Sequence, residues 1–170
     1  MSYFVTGATG FIGHNLIPLL LKRKGKVYVL VRKGSEDKLD RLKARWGKAA
    51  KRVVAVRGDL TRPFLGVRPA KRKELEGKID HFFHLAAIYD LAADAASQEA
   101  TNINGTRNAV KLAEAFGAKR FHHVSSIAAA GLFPGTFTED MFEEAVGLDN
   151  PYFRTKHDSE GLVREHCSIP

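Results

Sequence analysis

The chain has a single cysteine, Cys167, in 170 residues, which excludes an internal disulfide framework and suits a reducing compartment. Long hydrophobic runs are also missing. The longest apolar stretch, Phe11 to Leu21, is broken by Gly13, His14, Asn15 and Pro18. It is too short to cross a bilayer, and no basic leader with a cleavage site precedes it, so a cytoplasmic domain without an integral membrane segment is expected. The basic residues lack the interleaved aromatics of a single-strand nucleic-acid platform, so no nucleic acid is expected. His84, His122 and His123 stand in or beside strand-like runs without acids or Cys167 at ligand spacing. They read as satisfied strand histidines, and no metal is expected.

What is present suits one globular domain. The composition is 44% hydrophobic and 27% charged, and the length supports one domain with a core but not two. The net charge of +8 is uneven: residues 1–85 carry 20 Lys/Arg against 7 Asp/Glu, and residues 86–170 carry 7 against 12. A basic half of this kind matches a phosphorylated partner or an anionic surface, while the Lys38–Arg52 run reads as a solvated helix face.

Apolar runs alternate with helical periods along the chain. Tyr3–Thr6, Lys26–Val31, Val53–Val56, Ile79–Leu85 and Phe121–Val124 read as strands, and Phe11–Arg23, Lys38–Trp46, Asn104–Phe116 and Pro151–His166 as helices. Pro18 is expected to kink the first helix. Strands alternating with helices imply parallel pairing by right-handed crossovers, hence an α/β, doubly wound parallel-sheet Rossmann fold of about five strands.

The turn between the first strand and helix reads Thr6-Gly7-Ala8-Thr9-Gly10-Phe11-Ile12-Gly13. A G-x-x-G-x-x-G spacing alone is weak, but strand before and helix after make it a phosphate-binding turn. Gly7 permits the tight turn, Gly10 lets backbone approach a pyrophosphate, and Gly13 allows close helix–sheet packing, with the helix N-terminus facing the phosphate charge. After the second strand comes Arg32-Lys33-Gly34-Ser35, with no acid before Glu36. Arg32 and Ser35 suit a 2′-phosphate, so NADPH rather than NADH is the expected cofactor. Asp59 and Leu60 are placed to meet the adenine. Leu85, Ala86 and Ala87 are small enough for backbone to pass beside the ribose and phosphates.

Tyr152 and Lys156 are four apart on one helix and share a face. An ammonium beside a phenol stabilises the phenolate and makes the pair usable for acid–base work. Ser126, in Val124-Ser125-Ser126, offers a hydroxyl to a substrate carbonyl, or caps a turn.

Taken in order, TGATGFIG, Asp59-Leu60, HLAA at 84–87, Asn102-x-Asn104-Gly105-Thr106, VSS at 124–126 and Tyr152-Phe-Arg-Thr-Lys156 resemble an extended short-chain dehydrogenase/reductase over essentially the whole chain. VYVLVRKGS, IDHFFHLAAIYDLAAD, RFHHVSSIAAAGLF and EDMFEEA resemble, more narrowly, the N-terminal half of bacterial two-domain fatty acyl-CoA reductases. The resemblance implies that Ser126 polarises the carbonyl, Tyr152 donates the proton, Lys156 holds the nicotinamide ribose, and Asn102 lies near the catalytic centre. It also implies a fatty acyl or aldehyde substrate. The family continues past the tyrosine helix with a sixth strand and a substrate-binding part. Residues 1–170 are therefore expected to be an NADP(H)-binding domain lacking that part, with weak or no turnover on its own and an unpaired fifth-strand edge that could support a homo-oligomer. A nucleotide-sugar epimerase or dehydratase, and a non-catalytic dinucleotide-binding module, stand as alternatives. Phe133, Phe137, Met141 and Phe142 either line an acyl channel or pack, and Trp46 anchors its helix.

Overall fold

The computed structural model describes residues 1–89 and 93–170. Residues 90–92, inside the IDHFFHLAAIYDLAAD stretch, lie outside the described residues. Five strands, β1 (Tyr3–Thr6), β2 (Val27–Val31), β3 (Val53–Arg57), β4 (His81–His84) and β5 (Arg120–His123), form one all-parallel sheet in the order β3-β2-β1-β4-β5. Among the described residues six α-helices connect and cover it: α1 (Phe11–Leu21), α2 (Glu36–Trp46), α3 (Pro69–Leu75), α4 (Ala95–Gln98), α5 (Asn104–Ala115) and α6 (Pro151–His166). The order reverses between β1 and β4, which opens a crevice at the carboxyl ends of those strands. The doubly wound Rossmann fold read from the sequence is the fold observed.

Both sheet faces are buried, so the strands read as apolar runs without alternation. The two-residue period nonetheless sorts their side chains. Tyr3, Val5, Val27, Val29 and Val31 pack with Ile17, Leu20, Leu21 and Leu39 of α1 and α2. Phe4, Tyr28 and Phe82 point the other way, toward Leu75, Leu112 and Phe116. There the rings of Phe4 and Phe82 stack at 4.9 Å and Phe4 meets Phe116 at 5.2 Å. Each such buried ring contributes roughly 1.5–3 kcal/mol. Trp46 packs on the α1–α2 cluster, as expected of a helix anchor.

Local signals explain the helix ends. Asn150 caps α6 by accepting from the Tyr152 amide at 2.8 Å, with Pro151 in the first turn. Helix α1 continues as one element through Pro18, which lacks the N–H that would bond the His14 carbonyl. The expected unpaired edge of β5 is met at one point, where the Phe121 amide donates to the Pro170 carbonyl at 2.9 Å.

Between β3 and α3 the chain makes a tight turn at Pro63–Gly66, with Phe64 and Leu65 both left-handed (φ 52° and 54°). Non-glycine residues hold such angles only where packing over-determines them. Here Leu65 is fully buried, its carbonyl accepts from the Asp59 amide at 2.7 Å, and the Arg72 guanidinium lies 4.1 Å over the Phe64 ring.

Candidate active site

The β1–α1 turn closes on the backbone after β4. Gly7 is left-handed (φ 70°), and a Cβ there would stand 2.8 Å from the Ala86 nitrogen. A Cβ on Gly13 would stand 2.4 Å from the Gly7 carbonyl oxygen. Gly10 caps α1 with no side-chain hydrogen bond, and no acid occupies the first turn. The helix therefore presents its free N–H groups and positive end without an internal anion competing for them. A cradle of this kind fits a dinucleotide's diphosphate.

Beside it runs a cleft of about 470 Å³ lined by Gly7, Thr9, Gly10, Arg32, Ser35, Asp59, Leu60, Leu85, Ala86 and Ala87, ten of the residues singled out in the sequence. Lys38, Thr61, Ile88 and Thr101 line it as well. Lys38 is exposed, as its place on a solvated helix face implies, and in the first turn of α2 it also lies along the cleft. Phe11, Ile12, Gly13 and Lys156 are not in the lining. Phe11 and Ile12 are exposed, Phe11 at 85%, and their backbone lies in the first turn of α1 beside the cradle.

At the end of β2 the Arg32 Nε donates to Ser35 Oγ at 3.3 Å. The nearest acid, Glu36, is turned away, accepting from the Gly34 amide at 2.6 Å and pairing with Arg57 at 3.3 Å. Asp59 Oδ1 accepts from the Thr61 amide and hydroxyl, which hold its carboxyl below the usual range.

The proton-transfer candidates also come together. The Tyr152 phenol donates to Ser126 Oγ at 3.4 Å. Ser126 accepts from the Ala128 amide at 3.1 Å, so it caps the turn at Ile127–Ala130 while facing the phenol. Tyr152 and Lys156 are 5% and 4% exposed. The Lys156 ammonium donates to the Val124 carbonyl at 3.0 Å. The Tyr89 ring stands edge-on to Tyr152 at 5.3 Å, a neighbour with no signal in the sequence. Tyr89 follows Ile88, which lines the cofactor cleft, so the cleft and the phenol meet at these two residues.

Asn102 sits buried in a wide π turn, Glu99–Ile103, that joins α4 to α5. Its Oδ1 accepts from the Ile88 amide at 2.8 Å and its Nδ2 donates to Thr155 Oγ1 at 3.1 Å. The side chain thus ties the cleft wall to α6. A second buried chain completes the link. Thr106 donates to the Asn102 carbonyl, so it accepts from His84 Nε2, leaving His84 Nδ1 to accept from Thr6 Oγ1. Complete burial, with His123 and Lys156 nearby, holds His84 well below its ordinary value, so it is neutral. His84 is a satisfied strand histidine, as read, and His122 pairs with His81. His123 is not: neither ring nitrogen has a hydrogen-bond partner among the described residues, and burial pushes it down to about 4. Among the described residues no group of three His, Cys, Asp or Glu could hold a metal ion.

Phe142 packs, stacked on His157 at 4.1 Å and against Gly161. Phe137 and Met141 line a separate cleft that reaches Ser126. Ser125 donates to Glu160 at 2.5 Å. Burial raises the Glu160 carboxyl, but Ser125 and Arg164 more than offset it and hold the group below its usual value.

Burial lowers Lys156 from 10.5 to about 8, with Glu160 opposing. The folded protein gives up this proton near pH 8, whereas the unfolded chain keeps it to its ordinary value. The buried ammonium therefore costs stability below about pH 8, on the order of 1–3 kcal/mol, and the cost fades as pH rises toward 10.5. Lys156→Met is expected to be more stable than wild type at pH 7, with the gap narrowing over that window in urea unfolding. A gap that does not change with pH would contradict it.

The fold and cleft define an NAD(P)-binding, reductase-type domain. A family profile described as "Male sterility protein" matches residues 5–170, and the chain belongs to that family, a branch of the extended short-chain dehydrogenases/reductases. It is 33% identical over 188 aligned positions to the L-2-aminoadipate reductase large subunit of Penicillium chrysogenum, covering 95% of this chain and 13% of that protein. A Drosophila melanogaster protein described as a candidate fatty acyl-CoA reductase is 32% identical, covering 65% of this chain and 25% of that protein. Among solved structures, the terminal R domain from the myxalamid PKS-NRPS biosynthetic pathway superposes with a TM-score of 0.82 at 30% identity, covering 99% of this chain and 46% of that one. The chain thus spans under half the length of each. No helix among the described residues is long and apolar enough to cross a membrane.

Proposed function

We propose that this domain carries the cofactor site and proton-transfer group of an NADPH-dependent reductase acting on a fatty acyl thioester or the aldehyde derived from it. The observation that carries the proposal is the convergence of the Tyr152 and Ser126 hydroxyls, 3.4 Å apart, with buried Lys156 one helical turn on and Tyr89 joining the phenol to Ile88 of the cleft. Bound in that cleft, NADPH would supply the hydride. Two hydroxyls at this spacing can both meet one substrate oxygen: Ser126 donates a hydrogen bond to the carbonyl, and Tyr152 passes its proton to the oxygen as negative charge develops. The Lys156 ammonium, beside the phenol on the next turn, stabilises the charge left behind. With a thioester the product is a hemithioacetal, which collapses to aldehyde and free thiol. With an aldehyde the product is an alcohol.

Support for NADPH comes from the end of β2, where Arg32, Ser35 and Lys38 reach the cleft while Glu36 is engaged elsewhere. A carboxylate free to accept the 2′-hydroxyl of NADH is absent from that point among the described residues. Support for a fatty acyl substrate comes from the Drosophila relative and from the apolar Phe137 and Met141 beside Ser126. NADPH is expected to bind more tightly than NADH, and its oxidation by long-chain acyl-CoA or aldehyde is expected from the domain joined to a substrate-binding part, with residues 1–170 alone giving little or none. Arg32→Gln is expected to raise KM for NADPH about tenfold or more, the worth of one charge-assisted hydrogen bond, and to leave KM for NADH nearly unchanged. Equal losses with both cofactors would remove the assigned role of Arg32. NADH bound as tightly as NADPH, or turnover of that longer protein unchanged by Tyr152→Phe, would refute the proposal.

A further inference from the structure

Beyond Asp59 the cofactor cleft is continued by a second groove of about 600 Å³, separated from it by the shared Gly58–Asp59 wall. Its apolar lining is small: Val56, Val67, Gly58 and Gly66. Its rim is cationic, carrying Lys33, Arg57, Arg62, Arg68 and Lys71. Arg57 is paired with Glu36 and Lys71 with Glu74. Lys33, Arg62 and Arg68 make no side-chain hydrogen bond or ion pair among the described residues. The one carboxylate in the lining, Asp59, is occupied by Thr61. The wall that carries Arg62 and Arg68 is the left-handed Phe64–Leu65 turn, held in place by buried Leu65 and by Arg72 over Phe64. Backbone held this far from its preferred conformations gathers at binding sites.

We propose that this groove is a second nucleotide site, distinct from the cofactor's, and that its ligand is the phosphorylated adenosine of a coenzyme A thioester. The proposal rests on the thioester-reductase reading above, since only a thioester brings such a handle. A lining of two valines and two glycines leaves room for a base, and guanidiniums on the rim suit its faces as well as phosphomonoester and diphosphate oxygens. The volume is within the range of small-molecule sites. The groove lies at β3 and Ser126 follows β5, four strand spacings or about 19 Å away. A handle bound there therefore needs an extended arm to bring its thioester to the phenol, which is the form a pantetheine thioester has.

The test is direct titration of the 170-residue protein with adenosine 3′,5′-bisphosphate, the cofactor cleft being saturated with NADP+. One equivalent is expected to bind, and Arg62→Gln/Arg68→Gln is expected to weaken it at least about tenfold while leaving NADP+ affinity unchanged. Competition with NADP+, or a loss of NADP+ affinity in the variant, would assign the groove to the cofactor and overturn the proposal. So would unchanged bisphosphate binding in the variant, or binding of inorganic pyrophosphate as tight as the bisphosphate, which would mean that no base is recognised. Because the titration needs no turnover, failure of the reductase reading shows separately, as bisphosphate binding without reduction of acyl-CoA by the longer protein. Weakened reduction of a carrier-protein thioester with bisphosphate binding intact would mark the rim as a protein-docking surface and likewise overturn the proposal.

Discussion

Tyr152→Phe is expected to lower kcat for carbonyl reduction by about 100- to 10,000-fold, the usual worth of a positioned general acid, with NADPH affinity nearly intact. The substitution removes one oxygen and no ring contact. The phenyl ring still stands edge-on to Tyr89 at the observed 5.3 Å, and the Tyr152 amide still donates to Asn150, so α6 keeps its cap. The hydrogen bond lost, to Ser126 at 3.4 Å, is long, so the cost in stability is about 1 kcal/mol or less. Because the phenol does not line the cofactor cleft, binding and chemistry are affected separately. Fluorescence titration of NADPH, run beside single-turnover kinetics, reads the two. A variant that keeps turnover within tenfold of wild type would place the proton donor elsewhere. A variant that loses NADPH binding as well would mean that the hydroxyl acts through the fold.

Much of this arrangement was legible in the sequence because parallel strands buried on both faces leave uninterrupted apolar runs. Tyr3-Phe4-Val5-Thr6 was bounded to the residue on that basis and Lys26–Val31 to within one, and Pro151 marked the start of α6. Helix α3 was missed for a reason of the same kind. Its sequence, PAKRKEL, buries only Leu75, so no apolar period exists to be read, and the helix is held by packing against α5 and the sheet. The π turn that positions Asn102 has no period either. It bonds Asn102 to Ile88 and Thr155, 14 and 53 residues away in sequence, and such pairings are invisible before the chain is folded. Lys38 shows what a correct local pattern leaves out: it is exposed, and it also lines the cleft. A run of charges on a helix is usually solvated, but the first turn of α2 follows directly on the strand end that frames the cleft. For His84, residue type and burial were legible, but the linkage from Thr6 to Thr106 was not.

Gly13→Ala is expected to reduce NADPH affinity by about 100-fold or more and to lower stability by about 1–3 kcal/mol. The added methyl would lie 2.4 Å from the Gly7 carbonyl oxygen and 2.7 and 2.8 Å from Ala8 Cα and carbonyl carbon. All three neighbours are backbone, so no rotamer change can relieve the clash. Either α1 moves away from the sheet, losing Ile17 and Leu20 from the core, or the Gly7–Gly10 turn opens. The latter breaks the 3.0 Å hydrogen bond from the Gly10 amide to Gly7 and moves the free N–H groups off the diphosphate position. Gly10→Ala separates these effects. Its Cβ would meet only the Gly7 oxygen, at 3.3 Å, so stability should change little, while a methyl at the point of closest approach still hinders the pyrophosphate. Thermal unfolding with and without NADPH distinguishes the two variants: Gly13→Ala loses stability in the free protein, and Gly10→Ala loses mainly the increment that ligand binding adds. Equal free-protein stabilities for both would show that α1 tolerates a side chain against the turn. The third glycine would then contribute nothing that alanine could not, and the assignment of residues 7–13 as a diphosphate cradle would rest on Gly7 and Gly10 alone.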